Sequence, residues 1–106
     1  MDKPGYYQGR HYTAYGAQVI SLINAGNNDL AEQLLLRLIE AVEAENEVEH
    51  EGVAPWYYKL LARIYRVRHN TPAERAIIAR FNRQPYGSIR LFCPTPIQPA
   101  YALVAA

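Results

Sequence analysis

The repetition of a helix-turn-helix pattern constrains this chain more than any other feature. One unit runs from about Tyr15 to Glu45 and a second from about Pro55 to Arg83, with Tyr15 and Tyr58 set 43 positions apart. Each joins two amphipathic segments through a short polar turn, Ala25-Gly26-Asn27-Asn28-Asp29 in one and Arg68-His69-Asn70-Thr71 in the other. A helical hairpin cannot bury its apolar face alone and must stack on a neighbour. The pattern therefore predicts an all-α scaffold of two stacked antiparallel hairpins.

In the first unit, Tyr15, Val19, Leu22, Ile23 and Gly26 recur at helical spacing and predict a helix over residues 13–25 with this stripe buried. Gly26 should end it by taking a left-handed conformation. Asp29 and Glu32 have the spacing of a capping box and predict a second helix from about Asp29 to Glu47. Its inner stripe is Ala31, Leu34, Leu35, Leu38, Ile39 and Val42, which leaves Leu30 and Leu36 off the buried face. The acids between Glu43 and Glu51 should fray that helix into a solvated loop ending at Gly52.

Pro55 suits the first turn of a third helix, where its missing N–H would be unpaired in any case. Trp56, Tyr57, Leu60, Leu61, Ile64, Tyr65 and Val67 cover most of its circumference, as expected of a central helix. Thr71-Pro72-Ala73-Glu74 should start the fourth, with Thr71 as cap, and Ala73, Ala76, Ile77 and Phe81 forming its inner stripe.

The ends differ from this core. Residues 1–12, with Pro4, Gly5, Gly9 and three tyrosines, read as an extended arm anchored by its rings. Residues 85–106 carry Pro85, Pro94, Pro96 and Pro99, which exclude regular helix, yet are apolar and uncharged after Arg90. Disordered segments are polar and charged as a rule, so this tail should dock on the four-helix core of residues 13–84. The whole chain reads as one domain of 106 residues.

These units resemble tetratricopeptide repeats, which pair antiparallel helices around a tight turn. Tyr15, Leu22, Gly26, Ala31, Leu35 and Leu38 in the first unit, and Tyr58, Leu61, Ala62, Tyr65, Ile78 and Phe81 in the second, fall where that family places its packing residues. The stretch Gly52-Val53-Ala54-Pro55-Trp56-Tyr57-Tyr58 is also similar to small bacterial repeat proteins. Val19 stands where a small residue is usual, His69 replaces the turn glycine, Glu74 replaces a small residue, and the spacing of 43 exceeds the family's ~34. The resemblance implies a scaffold that binds protein partners.

Charge is divided along the chain. Residues 1–54 carry a net −6 and residues 55–106 a net +7, so the halves should attract within one molecule or between copies. Lys59, Arg63 and Arg66 share a helical face, with Arg68, His69, Arg75, Arg80, Arg83 and Arg90 nearby. With tyrosines interleaved they could hold phosphates or an acidic partner, making nucleic acid a secondary expectation.

Catalytic patterns are scarce. Ser21 and Ser88 have no neighbouring histidine or carboxylate motif, and Cys93 precedes Pro94 in an apolar context. Glu47, Glu49, His50 and Glu51 lack the spacing of zinc helices or calcium loops. No leader or membrane-spanning run is legible, and a single cysteine fits a reducing cytoplasm. The expectation is a non-enzymatic interaction module with neither metal nor cofactor, which binds a protein partner or its own copies. The tail, through Leu91, Phe92, Ile97 and Tyr101, should meet a groove formed by Leu36, Trp56, Tyr57 and Tyr58, in its own or a neighbouring subunit.

Overall fold

Four α-helices carry most of the computed structural model, which describes residues 3–87: α1 (Gly16–Asn24), α2 (Asn28–Glu49), α3 (Pro55–Val67) and α4 (Thr71–Asn82). Each helix packs on the next in sequence, α1 on α2, α2 on α3 and α3 on α4. The apolar stripes of α2 and α3 supply the centre: Leu35, Leu38, Ile39, Leu60 and Leu61 are all buried. Tyr15 and Val19 join them, whereas Leu22, Ile23 and Leu34 reach only half burial at the margin of this core.

The N-terminal arm is not merely extended. Strands β1 (Tyr6–Tyr7) and β2 (Arg10–His11) form a small antiparallel hairpin, with Tyr6 opposite His11 and Tyr7 opposite Arg10. A 3-10 turn over Tyr12–Tyr15 then leads into α1. Two backbone-directed bonds fasten this arm, the Tyr15 hydroxyl donating to the Tyr7 carbonyl at 2.6 Å and the Tyr57 hydroxyl to the Tyr12 carbonyl at 3.5 Å, while the Tyr12 ring packs edge-on against Tyr57.

Helix ends follow local chemistry, with three revisions. Gly26 takes φ +80 just past α1, the left-handed position that glycine occupies without a Cβ clash. Asp29 and Glu32 do not cap α2; its cap residue is Asn27, and both carboxylates turn instead to Arg68. Helix α2 continues two residues beyond Glu47, to Glu49, and stops where His50 adopts φ 60. Asn70, not Thr71, caps α4, its side-chain oxygen accepting the Ala73 N–H at 3.3 Å. Glu74, freed from that capping role, pairs with Arg66 at 2.9 Å.

The connection between α2 and α3 is held from inside. Asn46 is the buried polar residue of the described core; its Oδ1 accepts the Gly52 N–H at 2.7 Å and its Nδ2 donates to the Pro85 carbonyl at 2.8 Å. The Val53 N–H donates to the Gly87 carbonyl at 3.1 Å, and the His50 and Tyr86 rings stack with centroids 4.4 Å apart. Gly52 permits this approach: a Cβ there would lie 2.8 Å from the Gly87 oxygen, at a backbone φ of +94. The chain thus leaves the described core beside the C-terminal end of α2.

Candidate protein-binding groove

An open groove of about 540 Å³ runs across the outer side of the first two helices. The apolar stripe of α2 turns into the core, and Leu30, Leu36 and Arg37 on the other side of the helix line the groove, Leu30 and Arg37 exposed and Leu36 half-buried. Leu22 from α1 and Leu34 from α2 add to the apolar floor, and Tyr7 and Tyr15 close one wall. Gln8, Gln18, Gln33 and the exposed Arg37–Glu40 pair form a polar margin. Leu30 is 53% exposed, so the groove presents apolar surface directly to water. Its size lies within the range of concave ligand sites. The leucine floor and the glutamine side chains of the margin suit an apolar strand whose backbone can bond to those amides.

The structure divides the residues expected at a partner surface. Leu36 lines the groove. Trp56, Tyr57 and Tyr58 do not; they are core residues, 3%, 0% and 2% exposed. The reason is the central place of α3. Tyr12 covers Tyr57 from the arm, Phe81 of α4 packs on Tyr58, and the Tyr58 hydroxyl donates to Glu43 of α2 at 2.8 Å. Leu91, Phe92, Ile97 and Tyr101 lie outside the described residues. Leu22, Leu30 and Leu34 were missed as groove residues, although Leu30 was visible in the sequence as a leucine off the buried stripe.

The cationic candidates also separate. Arg68 binds Asp29 and Glu32, the latter at 2.9 Å, tying α3's end to α2's beginning. Arg66 is occupied by Glu74. Arg80 forms a fork with Glu43. Across the two halves, Arg68 and Arg80 thus pair with Asp29, Glu32 and Glu43 within one molecule. Lys59, Arg63 and Arg75 make no ion pair among the described residues. Arg63 borders a smaller recess of about 210 Å³ with Ile23, Leu60, Ile64 and Val67.

Two further groups bear on chemistry. His11 Nδ1 accepts the Thr13 N–H at 3.4 Å and lies 2.9 Å from its hydroxyl, so Nε2 carries the proton and donates to Glu45 at 2.8 Å. This hydroxyl–imidazole–carboxylate line caps the 3-10 turn and fastens the arm to α2. Among the described residues no three histidine, cysteine or acidic side chains converge as metal ligands; His50 stacks on Tyr86 and Glu47 and Glu49 face solvent. No helix among them is long and apolar enough to cross a membrane.

Burial raises the phenol pKa of Tyr12, Tyr57 and Tyr58 well above the ordinary value. Tyr65 is pushed up to about 12, by burial first and then by its hydrogen bond to Glu32. The Tyr58 and Tyr65 hydroxyls thus remain protonated donors, and they hold α3 to Glu43 and Glu32 of α2. No protein-family model, curated protein or solved structure matches this chain.

Proposed function

We propose that this chain is a non-enzymatic protein-interaction and assembly module built as two tetratricopeptide-like hairpins, stacked in sequence order. Support for the stacking comes from packing between successive helices, with α2 and α3 at the centre. The observation that carries the functional reading is the leucine-floored groove on the outer side of the first hairpin, with Leu30 exposed to water. Exposed apolar surface framed by polar residues is the usual mark of a protein contact. An extended, proline-bearing strand suits such a groove because it loses little conformational freedom on docking. Residues 88–106, uncharged after Arg90 and bearing three prolines, have this character, and on this reading they fill the groove of their own or a neighbouring subunit.

Light scattering and urea unfolding of the full chain beside a chain ending at Gly87 test this reading. Removal of residues 88–106 is expected to lower stability or change the oligomeric state. Identical mass and identical unfolding would overturn it. A nucleic-acid role draws support from Lys59, Arg63 and Arg75, but Arg66 and Arg68 are already engaged by carboxylates. It requires binding that weakens steeply with salt and disappears in Arg63→Glu.

A further inference from the structure

We propose that residues 88–106 occupy the outer groove of their own first hairpin, as a built-in competitor that any external strand must displace. This rests on the interaction-module reading and commits it to one groove and one occupant. Two observations and one mass-action argument carry it.

The first is where the chain departs. Asn46 holds the Pro85 carbonyl at 2.8 Å and Val53 holds the Gly87 carbonyl at 3.1 Å, so residue 88 starts beside the last turns of α2. Leu36 stands ten residues before Asn46 on the same helix, an axial distance of about 15 Å. Nineteen residues remain after Gly87, and an extended chain of that length spans roughly 60 Å. The segment can pass round α2 and run the length of the groove toward Leu30.

The second is chemistry. After Arg90 the segment has no charge, and Leu91, Phe92, Ile97, Tyr101, Leu103 and Val104 are spread along it. The groove floor of Leu22, Leu30, Leu34 and Leu36 offers apolar surface without a charged centre. Prolines at 94, 96 and 99 favour an extended strand and leave carbonyls free to accept from Gln18 and Gln33.

The third is competition between copies. A strand tethered by so short a connection experiences an effective concentration of order mM. A second molecule at micromolar concentration competes poorly for the same site. Occupancy within one chain therefore precedes exchange between chains, and partner binding is weakened by the fraction of time the groove is filled.

The single cysteine of the sequence, Cys93, provides the probe. Arg37 is exposed on the groove side of α2, so Arg37→Cys adds a second thiol without disturbing the core. A short bifunctional thiol reagent should link it to Cys93 within one full-length molecule, at least about ten times faster than it links an Arg75→Cys control. The product should run as a monomer on a non-reducing gel. A linked dimer would overturn docking within one chain while leaving the assembly-module reading intact. Rates equal to the control would overturn docking in this groove; the stability comparison with the chain ending at Gly87 then decides the broader reading. In a second measurement, a labelled synthetic peptide of residues 88–106 should bind full-length Leu91→Ser/Phe92→Ser/Ile97→Ser at least about tenfold more tightly than the unaltered chain. Equal affinity for both would contradict self-occupancy.

Discussion

Arg80 of α4 grips Glu43 of α2 as a fork, Nε to Oε2 at 2.8 Å and an outer nitrogen to Oε1 at 2.9 Å. The Tyr58 hydroxyl donates to the same Oε2 at 2.8 Å, so one carboxylate joins three helices. The hydrogen bond to Glu43 holds the Arg80 guanidinium above its ordinary pKa.

Arg80→Ala should therefore destabilise more than loss of an exposed pair such as Arg37–Glu40. Side-chain exposures of 29% and 22% place it between surface and buried behaviour. About 1–3 kcal/mol is expected, read as a lower urea midpoint with an unchanged slope. A neutral effect would show that Glu43 is satisfied through Tyr58 alone.

Asn46→Ala removes the acceptor for Gly52 and the donor to Pro85. The buried Gly52 N–H left without a partner costs roughly 1–3 kcal/mol, whereas the Pro85 carbonyl, on an exposed residue, can turn to water. Thermal unfolding should fall by several degrees. The backbone amide of Gly52 should also gain hydrogen-exchange rate ahead of the rest of the core, since Asn46 Oδ1 is its acceptor.

Leu35→Ala and Leu61→Ala each open a void where no solvent reaches, both side chains being 0% exposed. Losses on the order of 2–5 kcal/mol are expected from denaturant unfolding. Leu30→Ala, on the outer face, should lie within about 0.5 kcal/mol in the chain ending at Gly87, where the groove is open, and should cost more than that in the full chain.

High pH should weaken the fold. The folded state keeps Tyr65 protonated up to about 12, whereas an unfolded phenol titrates near 10. The unfolded chain thus binds fewer protons between these values, and stability present below pH ~10 declines as pH rises through that window. Tyr12, Tyr57 and Tyr58 add in the same direction, and burial is again the leading cause. Urea midpoints at neutral and at increasingly alkaline pH, followed together with phenolate absorbance, measure the decline.

Periodicity revealed the parts of the fold that depend on period alone. Leu35, Leu38, Ile39 and Val42 are buried as their spacing implies, and Pro55 opens α3 at its first turn. Roles set by distant partners were less legible. Asp29 and Glu32 have capping-box spacing, but Arg68 lies 36 residues beyond Glu32 and claims both carboxylates. Helical periodicity marks a face as apolar without saying whether water or another helix meets it. Trp56, Tyr57 and Tyr58 read as groove residues on that ground, yet all three are buried, Tyr57 against Tyr12 of the arm and Tyr58 against Phe81 of α4. Ile78 shows the converse: placed among packing residues by resemblance, it is 44% exposed, and Ala76 beside it also faces solvent. For the groove, Leu30 and Leu36 carried a signal; Tyr7 and Gln8 did not, because a β-hairpin delivers them from a segment without helical period.

The amide of Asn46 bridges neighbours six residues ahead and 39 residues ahead. Contacts between successive helices are local in sequence, whereas the span from Asn46 to Pro85 encloses both α3 and α4. Through this bond the polypeptide closes into a ring by way of a side chain. A protease nick within residues 50–54 would leave the two fragments laced together at this point.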